Sequence, residues 1–487
     1  MKRHISILLL ASMLLSFVAC ADSDTGLQDT TQNSNNDTSA AETDLYDAIP
    51  KKDYNGEEIR IYSYNTSGSY HESEFMIAEQ TGDTIDDAIY KRNILTEERL
   101  NIHLNYFGED NENEARTKFI SSMLAGDDFC DILVHKAAHF SAFLTSETIL
   151  PWNDINGIDL SQPWYVHFIN DCITIGNQQY GILSDAWATS LTMAYTIAFN
   201  KRLADDWKID DPYQLVRDGN WTMDTMISLT KDIWRDINGD NIRDAGDEYG
   251  FYTNSQTTLD CFIVAHNIES IGKDENDLPI VNFYSDKLVK SFEKVYELYW
   301  ENSGTFTDKN WDGYIETGFV SGLGLFSPMR IDHFISNKLR EMEDDYGILP
   351  YPKLDENQSE YRTYLLSRPG VAMVPITISD DKLDMIGYTL ETLSAYSYQY
   401  LRPAIYDVTL SGKSVRDEES LEMLDLIMDS RCFDFSQFVE FEGKYPLNPQ
   451  KTYRDMLGNK NDAITTYYES NKNIAEEYVN SLREMFE

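Results

Sequence analysis

Between residues 236 and 251 the sequence DINGDNIRDAGDEYGF repeats oxygen-bearing side chains at the spacing a hard cation needs. Counted from Asp236, they fall at loop positions 1, 3, 5, 9 and 12 as Asp236, Asn238, Asp240, Asp244 and Asp247, and position 7, Ile242, offers its carbonyl. Calcium collects about six to eight such oxygens at about 2.3 to 2.6 Å, so the spacing predicts one bound Ca2+. Position 6 is Asn241 where glycine is usual, and Asn is a residue that also adopts left-handed backbone. Position 12 is Asp rather than Glu. The competing reading is an acidic, solvated turn between a helix ending near Arg235 and a strand at Tyr249-Gly250-Phe251. A single loop without a paired second hand predicts a structural clip, not a sensor that opens a groove.

His135 and His139 are spaced like the zinc pair of a protease helix, but the general-base Glu of that motif is replaced by Lys136. The pair follows a strand end, where a loop that faces a cleft is the better expectation. With 83 Asp and Glu in the chain, adjacent acids identify no glycosidase pair, which needs a fixed carboxyl separation and one raised pKa. No nucleophile-elbow, phosphate-loop or dinucleotide glycine motif is present, so the sequence offers no catalyst and predicts no enzyme.

The 487 residues that carry these groups exceed one ordinary core, which predicts two lobes. At 42% apolar and 13% aromatic the chain has enough to pack. Forty Lys and Arg against 83 Asp and Glu give a net charge of −43, which excludes nucleic acid and anionic lipid surfaces as partners by repulsion. Lys2, Arg3 and His4 precede an apolar run from Ile5 to Ala19, shorter than the ~20 residues that span a bilayer, so residues 1–19 are expected to be a signal peptide. The small residues before Cys20 resemble a bacterial lipoprotein box, although Phe17 stands where Leu is usual, and predict lipidation of Cys20; cleavage near Ala19 or Ala21 with plain secretion is the alternative. Residues 20–54 then read as lipidated Cys and flexible tether. Cys130, Cys172, Cys261 and Cys432 are widely spaced and predict free thiols, with two disulfides the alternative in an exported chain.

Periodicity places strands at Glu58 to Tyr64, Asn101 to Tyr106 and Asp131 to Val134, with helices at Thr84 to Arg99 and Glu114 to Ala125 between them. That alternation implies an α/β fold with a parallel sheet. Further strands are expected at Gln179 to Leu183, Thr192 to Phe199, Phe319 to Phe326, Tyr346 to Pro350 and Gly370 to Pro375. Helices are expected at Asp381 to Leu401, Ser420 to Ser430 and Asp462 to Phe486.

In order along the chain, EIRIYSY, DAIYKRNILTEERLNIHL, CDILVH, YGILSDAWATSLTMAYTIAFNKRL, GNWTMDTMISLTKDIWRDINGD, FVSGLGLF and DYGILPYPK resemble the extracellular solute-binding proteins, family 1, of carbohydrate ABC importers. The resemblance runs from about residue 55 to 440 and rests on the order of the motifs. It implies a two-lobed, periplasmic-binding-protein-like fold of type II, with three crossing segments that hinge shut on ligand. By analogy the crossings are near Leu183 to Ser190, Gly322 to Pro328 and Arg368 to Pro375. Lobe one is then 55–184 plus 327–372, and lobe two 185–326 plus 373–487. The implied function is capture of a carbohydrate, an oligosaccharide above all, by a monomer held by its lipid on the outer face of the bacterial cytoplasmic membrane. The ABC permease transmembrane subunits are the implied partner. A secreted glycan-active enzyme and a static surface glycan-binding lipoprotein are the alternatives.

A sugar is gripped by rings against its CH faces and by polar groups that bond hydroxyls in pairs. At strand ends and crossings the candidates are Tyr64, Asn65, His135, Lys136, Asp185, Trp187 and Arg330, with Trp311 and Tyr406 in the second lobe. Asp185 beside Trp187 is the leading pair, with Trp187 as packed core the plainer reading. Arg330 has a plainer reading as a surface or helix-capping group.

Overall fold

The computed structural model describes residues 49–64, 77, 79–308, 313–336, 339, 342–410, 418–439 and 443–486. The expected signal peptide, Cys20, Asn65 and Trp311 lie outside them. Two separate sheets organise the chain.

The first sheet grows from the predicted alternation. The strand Glu57–Tyr64 lies parallel to Ile102–Glu109 on one side and to Ile132–Lys136 on the other. Gly370–Pro375 closes the sheet antiparallel to Ile132–Lys136 and pairs in turn with Ile149–Leu150. The helix Thr84–Leu100 starts where Asp83 accepts hydrogen bonds from the Ile85 and Asp86 amides and stops at Asn101, which takes the left-handed conformation with φ 48°. Asp131, fully buried, accepts from the Arg60 amide at 2.8 Å, the Arg60 guanidinium at 2.8 Å and Lys382 at 2.9 Å, which ties the sheet to the helix Asp380–Tyr396. Gly370 sits where any side chain would meet Val134, with the Trp187 ring next beyond it, so this strand begins with the one residue that fits.

In the second sheet Thr305–Asp308, Glu248–Asn254 and Gly324–Arg330 run parallel, and Tyr195–Asn200 lies antiparallel between Gly324–Arg330 and Tyr346–Leu349. The strands at 324–330 and 346–349 therefore belong to this sheet, which corrects the expected assignment of 327–372 to the first lobe; only its end, at Gly370–Pro375, returns to the first sheet. The expected tether is also too long at its C-terminal end. Ile49 is buried, the Tyr54 amide donates to Leu100, and the Tyr54 hydroxyl donates to Asp384 at 2.7 Å.

Three strand expectations miss, the first at Gln179 to Leu183, where the strand is only Gln178–Gln179 and Ile182 makes an isolated bridge to Ala372. FVSGLGLF begins in a π-helical segment, Tyr314–Val320, and becomes strand only at Gly324, because Gly322 turns the chain with φ 74° between them. Thr192 ends a short helix, Ala188–Thr192, and the strand starts at Tyr195. The four described cysteines are free thiols, three of them buried.

Candidate functional site

Four groups of side chains bear on function, beginning at the carboxyl end of the first sheet. The Tyr64 and His135 rings lie 4.7 Å apart, and His135 stacks on His139 at 5.0 Å. His135 Nε2 is 3.0 Å from the Glu112 carbonyl and Lys136 is ion-paired to the Glu112 carboxylate at 2.5 Å. Burial drives both histidines down to about 3, so both rings are neutral near pH 7. Tyr64 and His135, both candidates at strand ends, thus lie together in a packed cluster. Among the described residues no three His, Cys, Asp or Glu side chains are grouped to hold a metal, so the zinc spacing has no third ligand.

The first crossing carries the second group. Asp185 is fully buried and its Oδ1 accepts from Arg431 at 2.8 Å. Its Oδ2 lies 3.6 Å from Arg402 Nη1 without a hydrogen bond. Arg402 also donates to Asp429 at 2.8 Å and to the Tyr406 hydroxyl at 2.9 Å, so the structure does bring Tyr406 to Asp185, through a guanidinium. Arg431 continues to the Ser190 carbonyl at 2.8 Å, and Arg92 donates to the Ala186 carbonyl. Trp187 is fully buried, with the Arg92 guanidinium 6.0 Å from its ring. Against the expected hydroxyl acceptor and stacking ring, both side chains are fully buried, Asp185 facing two buried arginines and Trp187 packed in the core. Arg330 likewise turns to its own neighbour, forking onto Asp332 at 2.9 and 2.8 Å beside the Tyr195 ring at the start of the helix Ile331–Ile335.

The third group is a cavity of about 370 Å³ that none of the expected residues lines. It opens where the helix His167–Cys172, the strand Ile271–Lys273 and the turn after Arg431–Cys432 meet. The helix belongs with the first sheet: Asn170 exchanges hydrogen bonds of 2.8 Å with the Leu183 amide and carbonyl, next to Ile182, which bridges to Ala372. Phe168, Phe433 and Phe435 supply rings, while Arg362 and Lys273 supply positive charge. The Arg362 guanidinium lies 3.6 Å from the Phe168 centroid and Lys273 lies 5.2 Å from that of Phe435. Lys273 is held by Asp277 at 2.8 Å and Thr174 at 2.7 Å. Asp434 accepts from the Ser270 and Ser436 amides at 2.7 and 3.0 Å, and burial raises its carboxyl to about 6. Rings beside paired donors and acceptors suit a polyhydroxylated ligand. In the sequence the cavity leaves two local traces, residues 264–273 and 432–435, while Arg362 stands 70 positions before Cys432 and Phe168, Asp171 and Cys172 stand more than 90 before Val264.

The acidic loop is the fourth group. Asn241 has φ 59°, as position 6 requires. Asp236 accepts from the Gly239 and Asn241 amides at 2.6 and 2.8 Å, Asn238 from Asp240 at 2.9 Å, and Asp240 from Ile242 at 2.7 Å. Asp244 accepts from the Gly246 amide at 2.8 Å, and buried Asp247 from the Trp234 indole at 3.0 Å. The donor set is all oxygen and the loop curls as the spacing demands, while its carboxylates engage loop amides and do not gather in threes.

No family description and no curated protein matches the chain. Solved structures do. A maltose-binding periplasmic protein from Listeria monocytogenes in complex with maltose matches at 12% identity and TM-score 0.55 over 87% of this chain and 98% of that one. A maltose/maltodextrin-binding domain from Bdellovibrio bacteriovorus bound to maltotriose matches at 14% identity and TM-score 0.51 over 87% and 100%. An extracellular solute-binding protein family 1 from Alicyclobacillus acidocaldarius matches at 10% identity and TM-score 0.52 over 88% and 99%. The chain therefore has the two-lobed, periplasmic-binding-protein-like α/β fold that these solute-binding proteins share.

Proposed function

We propose that this chain is the substrate-binding component of an ABC transporter, capturing a carbohydrate outside the cell and handing it to the transmembrane permease without altering a bond. The supporting observation is a fold shared with saccharide-loaded receptors over nearly the whole of their length, together with a ring-lined cavity where the helix His167–Cys172 and the strand Ile271–Lys273 meet. Closure about the crossings would present the loaded form to the permease. In a panel of mono- and oligosaccharides, one class is expected to raise the melting temperature saturably and to shrink the radius of gyration in solution scattering. Turnover of a bound saccharide into product would replace this reading with the glycan-active enzyme, and binding without compaction would replace it with the static module. Lipid attachment at Cys20, holding the monomer to the outer face of the membrane, is part of the same proposal; mass spectrometry of the cell-derived protein tests it.

The loop from Asp236 to Asp247 is proposed to bind one structural Ca2+. Asp236, Asn238, Asp240, Asp244 and Asp247 would turn from loop amides to the ion, with the Ile242 carbonyl as a further donor. At a free concentration 100 times Kd, such an ion adds about 2.7 kcal/mol to the stability of the folded chain. Calcium is expected to raise the melting temperature and a chelator to lower it, with saccharide binding retained; identical melting in calcium and in chelator would remove the ion from the account.

A further inference from the structure

We infer that the cavity selects a saccharide carrying one carboxylate, a uronic acid unit within a short oligosaccharide, and that Arg362 is the residue that recognises it. The inference rests on the reading of this cavity as the saccharide site.

Arg362 lines the cavity with its guanidinium laid on the Phe168 ring at 3.6 Å, which fixes the plane of the group and leaves its edges as the donating surface. Among the described residues its one carboxylate partner is Glu360, two positions back, reached by a single contact at 3.3 Å. The Glu360 side chain is 60% exposed, and an ion pair at such a place is screened and contributes little. Two other charged groups of the cavity are committed elsewhere. Lys273 is held by Asp277, Thr174 and the Asp171 carbonyl. Asp434 is turned onto the Ser270 and Ser436 amides. In a chain with twice as many acids as bases, a largely buried arginine that faces a cavity with one weak carboxylate partner and the neutral Cys432 thiol beside it has an uncompensated charge to offer a ligand. A guanidinium fork matches a carboxylate with two parallel N–H···O bonds.

Two further features narrow the ligand. Asp171 and Glu269 are exposed lining residues at the rim, and with a net charge of −43 they repel a polyanion, so one carboxylate is favoured over a run of them. Phe433 and Phe435 give apolar faces against which a sugar ring packs, which a small organic acid would leave unfilled.

The test is calorimetric titration of the mature chain with maltotriose, with a trisaccharide that carries a single terminal glucuronic acid, and with succinate as a carboxylate without a sugar. The uronate trisaccharide is expected to bind about 10- to 100-fold tighter than maltotriose, the range of a hydrogen-bonded charge. Arg362→Gln is expected to abolish that preference and Arg362→Lys to keep part of it, with maltotriose binding retained by both variants as the sign that they are folded. Maltotriose binding as tightly as the uronate, or a preference that survives Arg362→Gln, overturns the inference and leaves the transport proposal standing. Succinate binding most tightly overturns the saccharide class. Binding of no saccharide by the unmodified chain overturns both this inference and the reading of the cavity beneath it.

Discussion

Asp185→Asn is expected to cost about 3 to 5 kcal/mol of folding stability, the penalty for leaving buried charge without its partner. The carboxylate is fully buried between Arg431 at 2.8 Å and Arg402 at 3.6 Å. Arg431 is almost completely buried, and the outer partners of Arg402, Asp425 and Asp429, are exposed and screened. Asparagine keeps the shape and can accept from one guanidinium, but it cancels no charge, so two arginines at the crossing would share a net positive core. Denaturant unfolding reads the loss. A ligand titration run beside it separates this role from the one the sequence suggests: if Asp185 accepted a hydroxyl of the ligand, the variant would lose affinity and keep its stability. A variant that unfolds at the parent's denaturant midpoint would remove Asp185 from the hinge and return it to the cleft.

Residues whose neighbours are local were legible in the sequence, and residues whose neighbours arrive from another segment were not. The helix Thr84–Leu100 was bounded within a residue because Asp83 and Asn101 mark both ends in the chain itself. Gly370–Pro375 was placed as written because an unbroken apolar run has few alternatives in an α/β fold. Asp185 and Trp187 look like a sugar clamp on paper because an acid beside an indole is one. Their true partners, Arg431 and Arg402 for one and the packed face around Gly370 for the other, lie about two hundred residues away, and no periodicity announces them. The cavity was missed for the same reason. Phe168, Arg362 and Phe433 come from segments 71 or more residues apart, so its walls have no common motif. The acidic loop is the opposite case: its left-handed Asn241 and its curl are local, and the spacing was enough to place them.

Glu391 offers the second large effect and the cleaner sign. It lies on the helix Asp380–Tyr396, almost fully buried, and accepts from the Tyr165 hydroxyl and the Asp159 amide at 3.3 Å. Among the described residues no cation accompanies it, and burial prevails over those hydrogen bonds and raises its carboxyl from 4.5 to about 7. The folded chain therefore holds this proton more tightly than the unfolded chain does. Its contribution is fully favourable below about pH 4.5 and is lost as pH rises through 7, where the folded state must carry the buried charge. At about 1.4 kcal/mol per pKa unit the loss amounts to about 3 kcal/mol above pH 7. Glu391→Gln keeps an acceptor for Tyr165 and removes the charge. The variant is expected to match the parent at pH 4 and to exceed it by about that amount at pH 8. His135, His139 and His266, pushed down to about 3 by burial, act in the opposite sense, destabilising the folded chain as pH falls from 6.5. They titrate identically in both proteins, so the difference between the two stability curves belongs to Glu391 alone. A variant less stable than the parent at pH 8 would mean that the Tyr165 and Asp159 hydrogen bonds outweigh burial and hold Glu391 as the anion.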